Sequence, residues 1–161
     1  MPYSAKAIAN EFLKIAEKNH EPLDHLKLQK LVYYAHGWSL GLLGKPLLEE
    51  NVEAWPYGPV ISSLYHEFKE FGSGQVKRLA NEIQYETQSF FQPQVPESDE
   101  TTHELLDRIW QIYGGYTGFR LSDMTHRPGG PWDQARHGKE GQRRVPMDDN
   151  VIKSYFEELA A

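Results

Sequence analysis

The sequence predicts a mainly α (α+β) domain of about six to seven helices, with a small β element near residues 51–56 and a second candidate β segment over 76–95. Three observations predict it. Apolar residues recur at three- and four-residue spacing through much of the chain. Residues able to cap a helix stand just ahead of those stretches. Alternating patterns are confined to short segments bounded by prolines.

The first helix starts after Ser4, with Ile8, Phe12, Ile15 and Ala16 on one face until about Asn19. Pro22 interrupts, and Asp24 caps a second helix over roughly 24–43. Its stripe is Leu28, Leu31, Val32, Ala35, Trp38 and Leu42; Leu26, Tyr34, Leu40 and Leu43 widen that stripe. A helix this apolar is expected to be central and packed on more than one side. Gly41, Gly44 and Pro46 close it. Asn51–Trp55 reads as a short strand or edge, followed by the rigid turn Pro56-Tyr57-Gly58-Pro59. Pro59 is expected at the first position of a third helix, because its fixed φ suits that place and its missing N–H costs nothing there. That helix turns Ile61, Leu64, Tyr65 and Phe68 inward and stops at Gly72 and Gly74.

Signals weaken over 75–98, which reads as a short hairpin or an irregular excursion. Thr101 and Glu104 have the spacing of a capping box. The helix they open carries Leu105, Ile109, Ile112 and Tyr113, and it ends at Gly114-Gly115. A short helix over about 117–126 uses Phe119, Leu121 and Met124; Pro131-Trp132 opens another turn. Gly138–Arg144 is a charged loop. Asp148 or Asp149 then caps a last helix with Val151, Ile152, Tyr155, Phe156 and Leu159 in register.

A chain of 161 residues fits one domain, here 1–161, that buries roughly 70% of its unfolded surface. With no cysteine it has no disulfide framework and no thiolate metal site. No run approaches the ~20 apolar residues of a membrane span, and the opening residues do not resemble a secretory leader. Cytoplasmic location is the expectation. Residues 51–100 hold eight acidic and three basic side chains, which repels phosphate backbones and suits a basic protein partner.

The search for chemistry returns mostly negatives. None of the seven histidines forms H-E-x-x-H or H-x-x-x-H, so no metal site is expected. His66-Glu67 has no second histidine near it. Ser62-Ser63 lacks the G-x-S-x-G setting, and Gly72-Ser73-Gly74 lacks the lysine of a phosphate loop. Three features remain. Trp55-Pro56-Tyr57-Gly58-Pro59 is either a corner that fills the core or a preorganised aromatic platform for a partner, and one corner can do both. In Leu121–Trp132, His126 is either structural, orienting the loop that carries Pro131 and Trp132, or a catalytic base with Asp123 as its sequence-near partner. Arg136–Arg144 is either a solvated loop or a contact for phosphate or an acidic partner.

The stretch Leu26-Lys-Leu-Gln-Lys-Leu-Val-Tyr-Tyr-Ala-His-Gly-Trp38 is followed by Gly44-Lys-Pro-Leu and Glu53-Ala-Trp-Pro-Tyr-Gly-Pro59. Leu64-Tyr-His-Glu-Phe68, Tyr113-Gly114, Leu121-Ser, Thr125-His126, Gly130-Pro-Trp132 and Tyr155-Phe156 then come in order. This ordered set resembles the Panacea family of SocA-like antitoxins, once described as GepA-type phage-associated proteins, over nearly the whole chain except 75–100. The resemblance implies a mostly helical domain with a small β element that serves as the antitoxin of a toxin–antitoxin pair. It implies a cognate toxin protein as partner and, since at least one relative is a proteolytic adaptor, delivery to the ClpXP protease. Some relatives add a DNA-binding region for which this chain has no spare length. The family supplies no catalytic residue to carry over. The residues that transfer are Trp55, Tyr57, Gly58 and Pro59 at the corner, with His126, Pro131 and Trp132 in the later loop, as a protein-binding surface.

The leading expectation is therefore a protein-binding antitoxin, not an enzyme, with no cofactor and with nucleic acid disfavoured. Two rivals stand beside it. One is a small hydrolase or nucleotide-modifying enzyme built on His126 with Asp123 or His66. The other is a nucleic-acid-linked regulator using Arg136–Arg144.

Overall fold

A computed structural model describes residues 2–161, so residue 1 of the expected 1–161 span lies outside the described residues. Seven α-helices are formed among them, with two small antiparallel sheets. Helix α1 (Ala5–Lys18) starts where Ser4 Oγ accepts the Ala7 N–H. Helix α2 (His25–Trp38) starts where Asp24 accepts the Lys27 N–H. Nearly every residue of α2 is buried, and helices on several sides cover it. It is the central element that its all-round apolarity predicts.

Past Trp38 the helix widens into a π-helical turn, Ser39–Leu43, and stops at Gly44. Its cause is a close crossing by α7 (Asp149–Ala160). A Cβ on Gly37 would meet the Phe156 ring at 2.1 Å, and one on Gly41 would meet Phe156 Cβ at 2.7 Å. Only glycine at these two positions lets the helices approach so closely. The widened turn carries Leu42 out of the buried stripe to 59% exposure, against the expected α-helical register.

Strands β1 (Glu53–Trp55), β2 (Gly58–Val60) and β5 (Val145–Pro146) form a sheet in the order β2-β1-β5, with Ala54 opposite both Pro59 and Val145. Pro59 is thus a strand residue and not the first residue of a helix. On an edge strand its missing N–H breaks no ladder. Helix α3 (Ser62–Phe68) begins after Ile61, which has no capping side chain. Gln29 of α2 fixes Ile61 itself: its Oε1 accepts the Ile61 N–H and its Nε2 donates to the Ile61 carbonyl. Tyr65, expected inward, lies partly exposed at the surface.

Residues 75–98 do contain a hairpin, β3 (Glu82–Gln84) paired with β4 (Ser89–Phe91). Helix α4 (Glu100–Tyr113) begins one residue before the expected cap, because Asp99 and not Thr101 takes the N-cap and accepts the Thr102 N–H. Helices α5 (Gly118–Thr125) and α6 (Pro131–Arg136) follow; Phe119 of α5 points outward and only Leu121 of its apolar residues is fully buried. Asp148 caps α7. One continuous apolar core joins Ile8 and Phe12 of α1, Leu28 and Leu31 of α2, Leu64 and Phe68 of α3, Leu106 of α4 and Phe156 of α7. Among the described residues no helix is long and apolar enough to cross a membrane.

Candidate functional site

The fold brings the two aromatic motifs of the sequence together. Trp55, Tyr57, Gly58 and Pro59 make the β1–β2 hairpin and its two-residue loop. His126 follows α5, while Pro131 and Trp132 open α6. Trp132 Nε1–H donates to the Trp55 carbonyl at 2.7 Å, and the Trp132 ring lies 4.2 Å from the His126 ring. All seven residues thus belong to one corner.

That corner is held through its carbonyls. Arg136 of α6 donates to the Ala54 carbonyl at 3.2 Å. Ser122 of α5 donates to that of Tyr57 at 3.1 Å. Lys30 of α2 donates to that of Pro59 at 3.0 Å. Together with the Trp132 bond, three helices reach four carbonyls of one short hairpin. Only the Lys30 bond is fully buried, and there a carbonyl left unpaired would cost about 1–3 kcal/mol. Gly58 is required twice over: its φ is +134°, and a Cβ there would lie 3.3 Å from Lys30 Cε.

Lys30 is 1% exposed, and burial pushes its ammonium down to about 8. Beside it on α2, His25 is pushed down to about 4, by burial first and by the nearby Lys30 charge second. The neutral ring suits its neighbour: with Gln29 Nε2 3.2 Å away, His25 Nε2 serves as the acceptor. The aromatic surface is less bare than the sequence alone suggests. The half-buried Trp55 ring is flanked by Tyr65 at 5.0 Å and by the Arg144 guanidinium at 5.2 Å, and its Nε1 donates to Glu53. Tyr57 alone projects freely, at 86% exposure.

Among the described residues, the His126 side chain has no hydrogen bond or ion pair with the side chain of Asp123 or His66. His126 Nε2 is buried and has no hydrogen-bond partner among the described residues. Asp123, its candidate partner, pairs with Arg120 on the surface, and His66 is exposed on α3. Among the described residues no three His, Asp or Glu side chains are placed to hold a metal ion. In the basic loop, Arg136 is committed to carbonyls, including that of Gln142 at 2.7 Å, and Arg144 to Trp55.

Reading the sequence missed Lys30, Gln29 and Ser122, and it placed Arg136 in the basic loop without its role at the hairpin. A signal existed for the first two: polar residues inside a helix apolar on every side must be buried and therefore need partners. For Ser122 and Arg136 no local pattern distinguishes them from surface residues.

The profile described as "Antitoxin SocA-like, Panacea domain" matches residues 28–133, which include the whole corner. The chain is also 35% identical over 155 residues to Antitoxin SocA of Caulobacter vibrioides (strain NA1000 / CB15N), covering 94% of this chain and 81% of that protein. No solved structure gives a significant match. Sequence similarity across the corner and the helices that hold it places this chain in the SocA-like antitoxin family, as a Panacea domain.

Proposed function

We propose that the chain is an antitoxin that neutralises a cognate protein toxin by direct binding, with residues 1–161 acting as one unit in the cytoplasm. The similarity to Antitoxin SocA over 94% of the chain carries this reading. The geometry supports it: a hairpin loop tied down by side chains from three helices presents Tyr57 to solvent with its backbone already ordered. Preorganised aromatic anchors are what protein interfaces use, because little entropy is left to lose on binding. The surface centres on Tyr57 beside the half-buried Trp55; Gly58 and Pro59, expected on that surface, are buried and with His126, Pro131 and Trp132 form its support. Binding is the role that the similarity to an antitoxin supports for this surface.

Co-expression with the product of the neighbouring gene tests it. That product is expected to arrest growth alone and to be harmless with this chain. Tyr57→Ala should weaken the rescue while leaving the melting temperature unchanged. A neighbour that is harmless alone, or that is not bound, overturns the reading. The finer route is delivery of the bound toxin to ClpXP: rescue lost in cells lacking that protease assigns delivery, and rescue retained there assigns blocking.

A further inference from the structure

The π-helical turn creates a second surface, away from the corner. Had the α-helical register continued, Leu42 would have extended the buried stripe of α2. One extra residue in the turn rotates the residues beyond it by roughly 100°. Leu42 and Leu43 therefore face solvent, at 59% and 42% exposure. Across from them α4 presents Ile112, also exposed, and the floor between is Trp38, Leu105 and Ile109. The resulting groove has a volume of about 460 Å³, and Glu104 and Arg108 stand on its α4 side. Exposed apolar patches of this kind are costly in water unless something covers them.

Charge identifies what covers it. Glu104 also belongs to the adjoining flank of α4, where Glu97, Glu100 and Asp107 surround His103. Arg108 is the single cation lining the groove. A second copy of this chain, docking about a two-fold axis, brings a second set of these carboxylates into the same interface, with one further Arg108 to offset them. An anionic lipid surface meets the same repulsion. We propose that the groove receives an amphipathic helix of a partner protein, its apolar ridge against Leu42, Leu43 and Ile112 and its lysines or arginines along Glu97, Glu100, Glu104 and Asp107. Helix-in-groove docking is a recurring mode, with anchors at three- and four-residue spacing and charge complementarity fixing register.

A fluorescently labelled designed peptide tests this without any toxin, so its outcome is independent of the antitoxin reading. The peptide carries leucines at i, i+3, i+4 and i+7 with lysines beside them; its control replaces every lysine with glutamate. The lysine peptide should bind, more weakly as salt rises, and the glutamate peptide should not. Leu42→Asp and Ile112→Asp should each weaken binding at least ~10-fold. Glu100→Lys combined with Glu104→Lys should weaken it and flatten the salt dependence. All four positions lie at the surface, so melting curves should stay close to wild type, and Tyr57→Ala should bind the peptide normally. No binding of the lysine peptide, equal binding of the glutamate peptide, or normal binding by Leu42→Asp overturns the proposal. So does a dimer in sedimentation that Leu42→Asp dissociates, because the occupant is then a second copy.

Discussion

The molecule contains two hairpins built from three-residue strands, and they behave as opposites. The β1–β2 hairpin gains a third strand, β5, and receives side-chain donors at Ala54, Trp55, Tyr57 and Pro59. The β3–β4 hairpin has no third strand, and apart from the half-buried Glu82 its strand residues are exposed. It is held at its base, where Asn10 bonds both backbone groups of Ala80 and the Pro93 carbonyl, Glu11 accepts the Val95 N–H, and Lys6 and Glu67 bond the Asn81 backbone. Strand length and pairing are the same in both. Order in a short hairpin here comes from a third strand and from donors sent by several helices to the strands and loop themselves, since an isolated two-stranded ribbon is marginal in water. Amide exchange should therefore be slow around Trp55–Pro59 and fast across Gln84–Ser89.

Removing the Trp132 indole is the strongest way to break this difference. Trp132→Ala deletes a packed aromatic and the donor to the Trp55 carbonyl, and should cost about 3 kcal/mol of stability by denaturant melting. Trp132→Phe keeps most of the packing and should cost only about 1 kcal/mol. If both variants lose the same amount, the hydrogen bond and not the packing holds the corner.

Acid should come next, acting through α2. His25 has its folded value lowered from the ordinary 6.5 to about 4. Between those values the unfolded chain binds a proton that the folded chain refuses, so stability falls as pH drops through this window. It is unaffected by His25 above 6.5. The full loss is on the order of 3 kcal/mol. The carboxylates with lowered values lose their contribution mostly below this window. For Asp99 the cause is hydrogen bonding from Tyr3 and Thr102. For Glu67 burial pulls upward but is outweighed by the Asn81 N–H, Arg78 and Lys6. Protonated His25 can no longer accept from Gln29, whose amide also holds Ile61 just beyond the corner. Exchange should therefore speed up at Ile61 and the corner before it changes at Ala80 or Val95. A pH 4–6.5 dependence of unchanged size in His25→Leu would show that other groups carry it.

Gly58→Ala sharpens the same point with a smaller effect. The substitution asks a side chain to adopt φ +134° and to sit against Lys30. A cost of about 1–3 kcal/mol is expected, with the binding surface displaced along with the loop.

Legibility in the sequence divides along the same line between local and distant causes. Ser4, Asp24 and Asp148 cap the helices as expected because a cap acts on residues two or three positions away. Both halves of the corner are visible as aromatic and proline clusters for a similar reason. Their meeting is not visible, nor is the role of Lys30, because satisfying a carbonyl from another helix leaves no periodic trace. Pro59 is misplaced by a valid local rule: proline suits a first helical turn, but it suits an edge strand equally, and α3 starts three residues later, after Ile61. The π turn is hidden because Gly41 reads as closing the helix and Gly37 gives no signal until Phe156 is seen lying against both.

The smallest expected effect tests the free hairpin. Ile83 and Phe90 are cross-strand partners, and with Tyr85 they line a single hollow beside Lys6, Glu67 and Arg78. Phe90 is 71% exposed, so burial contributes little, and its contact with Ile83 is worth about 0.2–1 kcal/mol to the ribbon alone. Phe90→Ser should loosen exchange between Glu82 and Phe91 yet change global stability by less than about 0.5 kcal/mol, because Asn10 and Glu11 hold the base independently. A larger global loss would mean that the ribbon braces the core, and the contrast between the two hairpins would then be one of exposure and not of anchoring.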